Sequence, residues 1–373
     1  MLKIFFAFIV IVHGLIHLMG FVKAFNFAEM SQLTQPISKV SGIIWLLTTL
    51  LFLATLVLFF TKFDYWWLIG VVALVLSQIL IIQNWDDAKF GTVANILILI
   101  PVFIASLNVL PTSFQNMYKA AVQERIRPIS DNSIVSENDI AHLPAPVQNY
   151  LRYTGVIGKP RVYNFWAINS GNMKQSPKSD WITVKAQQYD FFDEPARLFY
   201  IQSDLFGVPF DGLHAYTGNS ATMQIKVASL LQVADAKGAK MNQSENVTIF
   251  NEMCMFAPAT LIDKNIKWEA LDSLTAKAWF THNNITISAT LYFNEKGELI
   301  DFSSDDRFLS LDGKDYASYR WSTPVKDYRD FEGRKVPVYG DAIWHMPEGD
   351  YTYAKYQLEN IVFNSKEFTL LAN

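Results

Sequence analysis

FFAFIVIVHGLIHLMGF (residues 5–21), GIIWLLTTLLFLATLVLFF (42–60), WWLIGVVALVLSQILIIQ (66–83) and VANILILIPVFIASLNVL (93–110) fill most of the first 110 residues, and none contains Asp, Glu, Lys or Arg. A helix crossing a hydrocarbon core of about 30 Å needs roughly 17–25 apolar residues, so each run is long enough to span a bilayer. The reading that follows is a four-helix membrane domain over residues 1–110, a linker over 111–139 and a soluble domain over 140–373. Lys3 ahead of the first run has the outline of a signal peptide. That run continues to Phe21 without a small-residue cleavage site, however, and Lys23 follows, which favours a retained span.

Charge flanking the runs bears on orientation. Lys3, Lys62, Lys119, Arg125 and Arg127 fall on the side of both termini, against Lys23, Lys39 and Lys89 on the other. Basic residues are retained on the cytoplasmic side, so the count favours a cytoplasmic C-terminal domain on a bacterial cytoplasmic membrane. The chain as a whole carries 31 basic and 35 acidic residues, a net charge of −4, which offers no surplus for a phosphate backbone and argues against nucleic acid as a partner. Cys254 is the single cysteine, so neither an internal disulfide nor a cysteine metal cluster can form.

His13 and His17 are four residues apart in the first run and share one helical face. Such a pair could ligate a metal, but hydrogen bonds to neighbouring helices are the commoner fate of polar groups inside a bundle. No other run carries a histidine to complete a haem site, so no cofactor is expected. Between the third and fourth runs lies Trp85-Asp86-Asp87-Ala88-Lys89-Phe90-Gly91-Thr92. The expectation there is that Asp87 or Thr92 caps the fourth helix and that Asp86 pairs with Lys89.

Past Pro111 the chain turns polar, with a short helix expected over 114–124 along the membrane interface and another over Pro146 to Tyr153, ending at Gly155. After Lys159 the period becomes two. Leu274, Ala276, Ala278 and Phe280 alternate on one face, as do Ile285, Ile287, Ala289 and Leu291, and His282-Asn283-Asn284 between them predicts a hairpin with one dry face. Asn294-Glu295-Lys296-Gly297 turns again into Leu299 to Ser303. Weaker alternation marks 181–189, 198–203, 223–227, 319–322, 336–344 and 351–362. Eight to eleven such strands point to one large antiparallel sheet in an α+β domain.

One segment breaks the pattern. Ser244-Glu245 reads as a helix start, and Asn246 to Ile262 follows with Phe250, Met253, Cys254, Ala257 and Leu261 on one side. Glu252 projects from the other side beside Met255, Phe256 and Ala259, so the helix is apolar nearly all round and should be buried. A buried carboxylate needs a partner or a raised pKa. Arg307 or Arg320 could pair with it, or Glu252 could act as an acid or base, with His345 the candidate beside it. Leu205-Phe206-Gly207-Val208-Pro209-Phe210 places two phenylalanines in a turn, which suggests a cover over a cavity or a loop that dips into the head-group layer.

The segments Trp85 to Asn95, Leu143-Pro144-Ala145-Pro146-Val147 with Tyr150 to Gly155, Phe250-Asn251-Glu252, Trp321-Ser322-Thr323-Pro324 with Asp327-Tyr328-Arg329, and Trp344-His345-Met346-Pro347-Glu348-Gly349-Asp350 together resemble an uncharacterised bacterial membrane family known only as a domain of unknown function. No catalytic role can be carried over from it. The order of elements is more loosely similar to the lipoprotein-carrier (LolA-like) fold. That likeness implies a large curved antiparallel sheet, a half-barrel, wrapping one buried helix and enclosing an apolar cavity.

No Gly-x-Ser-x-Gly elbow, Walker-type loop, Gly-x-Gly-x-x-Gly or His-Glu-x-x-His occurs. The preferred function is therefore a non-enzymatic, membrane-anchored module that binds a lipid or other apolar molecule. Its ligand-binding candidates are Glu252, Met255, Phe256, Phe206, Phe210 and Arg320. The alternatives are an enzyme acting on a lipid-linked substrate through Glu252 and a protein-binding scaffold.

Overall fold

The structure is a computed structural model that describes residues 2–131, 133–205, 208–310 and 313–370. Three N-terminal helices are long and apolar enough to cross a membrane: α1 Leu2–Ala24, α2 Lys39–Phe60 and α3 Trp66–Gln83. The fourth, α4 Gly91–Leu107, is equally apolar but has 17 residues. Close approach inside the bundle depends on small residues. A Cβ on Gly20 of α1 would stand 2.1 Å from the Trp45 ring of α2, a distance that no side chain could accept.

His13 joins three helices. Asn95 Oδ1 of α4 accepts a hydrogen bond from Ser77 Oγ of α3 and lies 2.9 Å from His13 Nε2, while Asn95 Nδ2 donates to Gln78 Oε1. The amide oxygen of Asn95 can only accept, so with this orientation of the amide Nε2 is the donating nitrogen of His13. His17 bonds instead to the His13 carbonyl and rests against Trp45 and Phe52. The expected cap of α4 is corrected. Asp87 binds the Thr34 hydroxyl and the Thr34 and Gln35 amides, so it fastens the α1–α2 loop, and Phe90 occupies the cap position without a side-chain bond.

Besides the short turns Trp85–Ala88 and Glu137–Ile140, two longer helices precede the sheet among the described residues: α5 Phe114–Arg125 and α6 Ala145–Tyr153. The helix expected over 114–124 is present, and one of its faces packs on the sheet. Phe114, Tyr118 and Val122 of α5 are buried against the sheet, with the Tyr118 and Tyr200 rings stacked at 5.6 Å.

The strands are β1 Asn164–Met173, β2 Ile182–Phe191, β3 Ala196–Leu205, β4 Val208–Thr217, β5 Ser220–Val227 and β6 Leu231–Lys237, followed by helix α7 Ala239–Phe256. Then come β7 Ile266–Ala270, β8 Thr275–His282, β9 Ile285–Phe293, β10 Leu299–Ser304, β11 Phe308–Leu309, β12 Ala317–Ser318, β13 Arg320–Ser322, β14 Val325–Phe331, β15 Arg334–Met346 and β16 Gly349–Phe363. Fourteen of them form one antiparallel sheet, more than the eight to eleven expected. Its order is β6-β5-β4-β3-β2-β1-β16-β15-β13-β10-β9-β8-β7, with β14 on β15. The β8–β9 hairpin turns at Asn283 and Asn284, both with positive φ, and buries Ala276, Ala278, Phe280, Ile287, Ala289 and Leu291 on one face, as the alternation predicts. Its tip reaches the opposite wing, where Asn283 Nδ2 donates to the Gly218 carbonyl and to Tyr216 OH.

Helix α7 lies between these wings and is buried almost continuously from Ser244 to Met255. It starts at Ala239, earlier than the expected Ser244 region, after Gly238 at φ 100°, a conformation that favours glycine. It also stops earlier than Ile262. Pro258 pushes Ala257 out of helical geometry, and residues 258–262 form a separate 3-10 turn. Phe250 stacks on Phe280 at 5.3 Å and meets Phe302 at 5.8 Å, which fixes the helix to the β8–β10 wing.

Candidate functional site

Glu252 does meet an arginine, but it is Arg197 of β3 rather than Arg307 or Arg320. Arg197 Nε donates to Glu252 Oε2 at 2.7 Å, and Nη1 donates to Glu245 Oε2 at 3.2 Å. Glu245 and Glu252 are seven residues apart, two helical turns, so one face of α7 presents both carboxylates to one guanidinium. Asp190 of β2 pairs in register with Arg197 and is fully buried. Burial and the neighbouring Glu252 charge push the Asp190 carboxyl well above its usual range. Its Oδ1 finds no donor among the described residues. A proton retained there satisfies that oxygen and can be shared with Glu252, as in other close carboxyl pairs.

His214 of β4 closes the cluster, its Nδ1 3.9 Å from Glu245 Oε1. Burial lowers its pKa to about 4, opposed by Glu245 and reinforced by Arg197 and Arg307. Below pH 6.5 an unfolded chain binds a proton at His214 and the folded chain does not, so this residue's contribution to stability is complete above pH 6.5 and is lost as pH falls toward 4. Asp190 works in the opposite direction, its contribution fading as pH rises through its elevated folded pKa. Comparing His214→Gln with the parent isolates the histidine, since Asp190 is common to both. The variant is expected to lose less stability than the parent between pH 7 and pH 4.5 by thermal denaturation, and equal losses would assign the acid sensitivity elsewhere.

Beyond this cluster the same inner face turns apolar. Val184 and Ala186 of β2 with Phe199 and Ile201 of β3 form a buried patch separate from the main core, joined by Met173, Phe210 and Tyr356. Arg197 stacks on the Phe199 ring, its Cζ 4.6 Å from the centroid, so charge and apolar surface adjoin directly. The patch runs along β3 and β4 toward the end where Leu205 pairs with Val208. The β5–β6 turn at that end is fastened to the segment after α4, with Lys226 Nζ on the Thr112 carbonyl and Ser229 Oγ on Asn108.

His345 stands apart from Glu252. Its Nε2 lies 2.8 Å from Ser322 Oγ and its Nδ1 2.7 Å from Asp350 Oδ1, the spacing of a serine–histidine–carboxylate relay. Exposure runs the wrong way for a nucleophile: Ser322 is 3 % exposed, while the His345 and Asp350 side chains are 35 % and 63 % exposed. A substrate carbonyl would meet the acid first and the hydroxyl last, so the arrangement serves to pin the β15–β16 turn to β13.

The remaining candidates scatter. Met255 lies in the main core, and Phe256 packs edge-on to Phe165 at 5.8 Å. Arg320 is exposed and paired with Asp305. Phe210 borders the inner patch, and Phe206 lies outside the described residues. His13 and His17 have the bundle contacts already given, and among the described residues no group of three or more His, Cys, Asp or Glu side chains is placed to hold a metal. Sequence reading missed Arg197, Asp190, Glu245 and His214. The seven-residue spacing of the two glutamates was the signal available.

Among curated proteins, no sequence matches this chain. Solved structures similar to it include the following two. One, a domain named for outer membrane lipoprotein sorting from Vibrio parahaemolyticus, is 10% identical with a TM-score of 0.31, over 54% of this chain and 85% of that one. The other, a LolA superfamily protein from Nitrosomonas europaea, is 9% identical with a TM-score of 0.33, over 58% of this chain and 92% of that one. Residues 133–356, more than half of the chain, match a family of unknown function, DUF6544, and the chain belongs to that family.

Proposed function

We propose that this chain is a four-span protein of a bacterial cytoplasmic membrane whose β-domain curves as a half-barrel around α7. On its inner face it holds an amphipathic lipid or a similar apolar molecule, without catalysing a reaction on it. The observation that supports this reading is the apolar patch of Val184, Ala186, Phe199 and Ile201, separate from the folding core and bounded at one end by the Arg197–Glu252–Glu245 cluster. Apolar surface that adjoins fixed charge suits a molecule with a tail and a polar head. The enzyme alternative loses its main support, since Arg197 already occupies the Glu252 carboxylate. The charge count puts the domain on the cytoplasmic side, next to the inner leaflet.

Two measurements on detergent-solubilised full-length chain test this. Organic extraction is expected to release co-purified lipid, and an apolar fluorescent probe is expected to bind and to be displaced by that lipid. Phe210→Lys places a charge beside the patch and should weaken probe binding by about tenfold, roughly 1.4 kcal/mol, with the melting temperature little changed. Protein that is lipid-free and does not bind the probe would sink the reading.

A further inference from the structure

The β5–β6 hairpin carries more apolar surface than its place in water explains. Leu230 is 62 % exposed, Leu231 63 % and Val233 53 %, all within four residues. β6 is also the terminal strand of the sheet, and among the described residues no strand pairs with its outer edge. An exposed edge with aliphatic side chains is an aggregation hazard that proteins normally blunt with charge or cover. Here the covering surface is indicated by what the hairpin touches. Ser229 in its turn bonds Asn108, the residue that caps the end of α4, and Lys226 beside it bonds the Thr112 carbonyl and lies over the Phe114 ring at 4.4 Å. The hairpin therefore sits at the level where the last apolar helix ends. If that helix crosses the bilayer, this level is the head-group layer. In the turn Ala228 and Ser229 both have positive φ, and Ala228 N–H donates to the Pro209 carbonyl of β4 at 2.7 Å.

We infer that the β5–β6 hairpin is a membrane-contacting element whose Leu230, Leu231 and Val233 side chains rest in the lipid interface. This sets the apolar end of the sheet's inner face against the bilayer and gives a lipid a short path from leaflet to patch. The inference rests on the proposed spanning helices, and the experiment below separates the two.

Cys254 is buried, and burial pushes its thiol up, so it does not compete for labelling. Three single-cysteine additions to the full chain, Leu230→Cys, Leu47→Cys in α2 and Asn219→Cys at the opposite end of β5, would each carry an environment-sensitive nitrobenzoxadiazole dye. They would be reconstituted in phosphatidylcholine–phosphatidylglycerol vesicles containing lipids spin-labelled at the head group or along the acyl chain. The expected result is blue-shifted emission at position 230 with quenching by shallow spin labels, quenching by deep labels at 47, and water-like emission without quenching at 219. Water-like emission at 230 while 47 is quenched would overturn the hairpin assignment alone. A blue shift at 230 that lipid spin labels do not quench would mean a protein surface covers it, which also overturns it. Absence of quenching at 47 would remove the spanning helices, and the inference with them.

Discussion

Arg197→Met is expected to destabilise the β-domain by about 3–5 kcal/mol, the usual loss when one partner of a buried ion pair is removed. The physical reason lies in what stays behind. Glu245 and Glu252 are 1 % and 6 % exposed, and Asp190 is fully buried beside them. With the guanidinium gone, two carboxylates would share a site that contains no other cation within bonding distance among the described residues; His214 is held neutral by burial. The side chains then have to take up protons or draw in water, and both cost stability at neutral pH. In a domain of this size each kcal/mol moves the midpoint by roughly 2–4 °C, so thermal denaturation in detergent should show a fall on the order of 10 °C. Glu252→Gln alone should cost less, because Arg197 keeps Glu245. The double variant Arg197→Met with Glu252→Gln should recover part of the loss, a non-additivity expected of groups that share one network. A loss below about 1 kcal/mol for Arg197→Met would mean that the cluster is hydrated and that the arginine does not hold the helix to this wing.

The legibility of the sequence follows burial. The apolar runs could be read because nothing charged interrupts them, and the β8–β9 hairpin because one of its faces is wet. β1 shows no such alternation. Its first six residues, Asn164 to Asn169, are buried on both faces, covered by the α7 side within and by the α5 side without, and a strand dry on both faces has no period of two. Ala186 to Phe191 of β2 are buried in the same way, while Ile182 to Lys185 before them alternate, so only weak alternation marks 181–189. The Glu252 partner was hidden by a boundary. Alternation suggested a strand from Leu198, which leaves Arg197 in the turn, whereas β3 begins at Ala196 and points Arg197 inward. Starting the strand two residues late leaves out the one side chain that β3 directs toward the Glu252 carboxylate. The need for a partner was plain from the buried carboxylate, but choosing among arginines required the fold, because the bond joins residues 55 positions apart.

A soluble fragment that begins at residue 140 should fail to fold, while one that begins at residue 113 should fold. Read from the sequence, the segment between the last apolar run and Ile140 is a linker, yet α5 within it supplies Phe114, Tyr118 and Val122, at 3 %, 0 % and 0 % exposure, to the outer face of the sheet. Tyr118 alone contacts Tyr200, Tyr189 and Phe368. Burying a large apolar side chain contributes about 1.5–3 kcal/mol, so losing three removes roughly 5–9 kcal/mol, comparable to the whole stability of an ordinary domain. The cut would also expose Leu198, Tyr200 and Leu213, an apolar surface that favours association. The expected outcome is an aggregated or dye-binding 140–373 fragment without a cooperative transition, against a monomeric 113–373 fragment with one. A 140–373 fragment that melts cooperatively at the same temperature would show that α5 merely rests on the sheet. If α5 is part of the domain, the only free chain between the sheet assembly and α4 is the short stretch from Asn108 to Ser113. Asn116 Nδ2 bonds the Leu110 carbonyl even across that stretch. Together with the bonds from Lys226 to the Thr112 carbonyl and from Ser229 to Asn108, this short tether keeps the β5–β6 hairpin beside the end of α4.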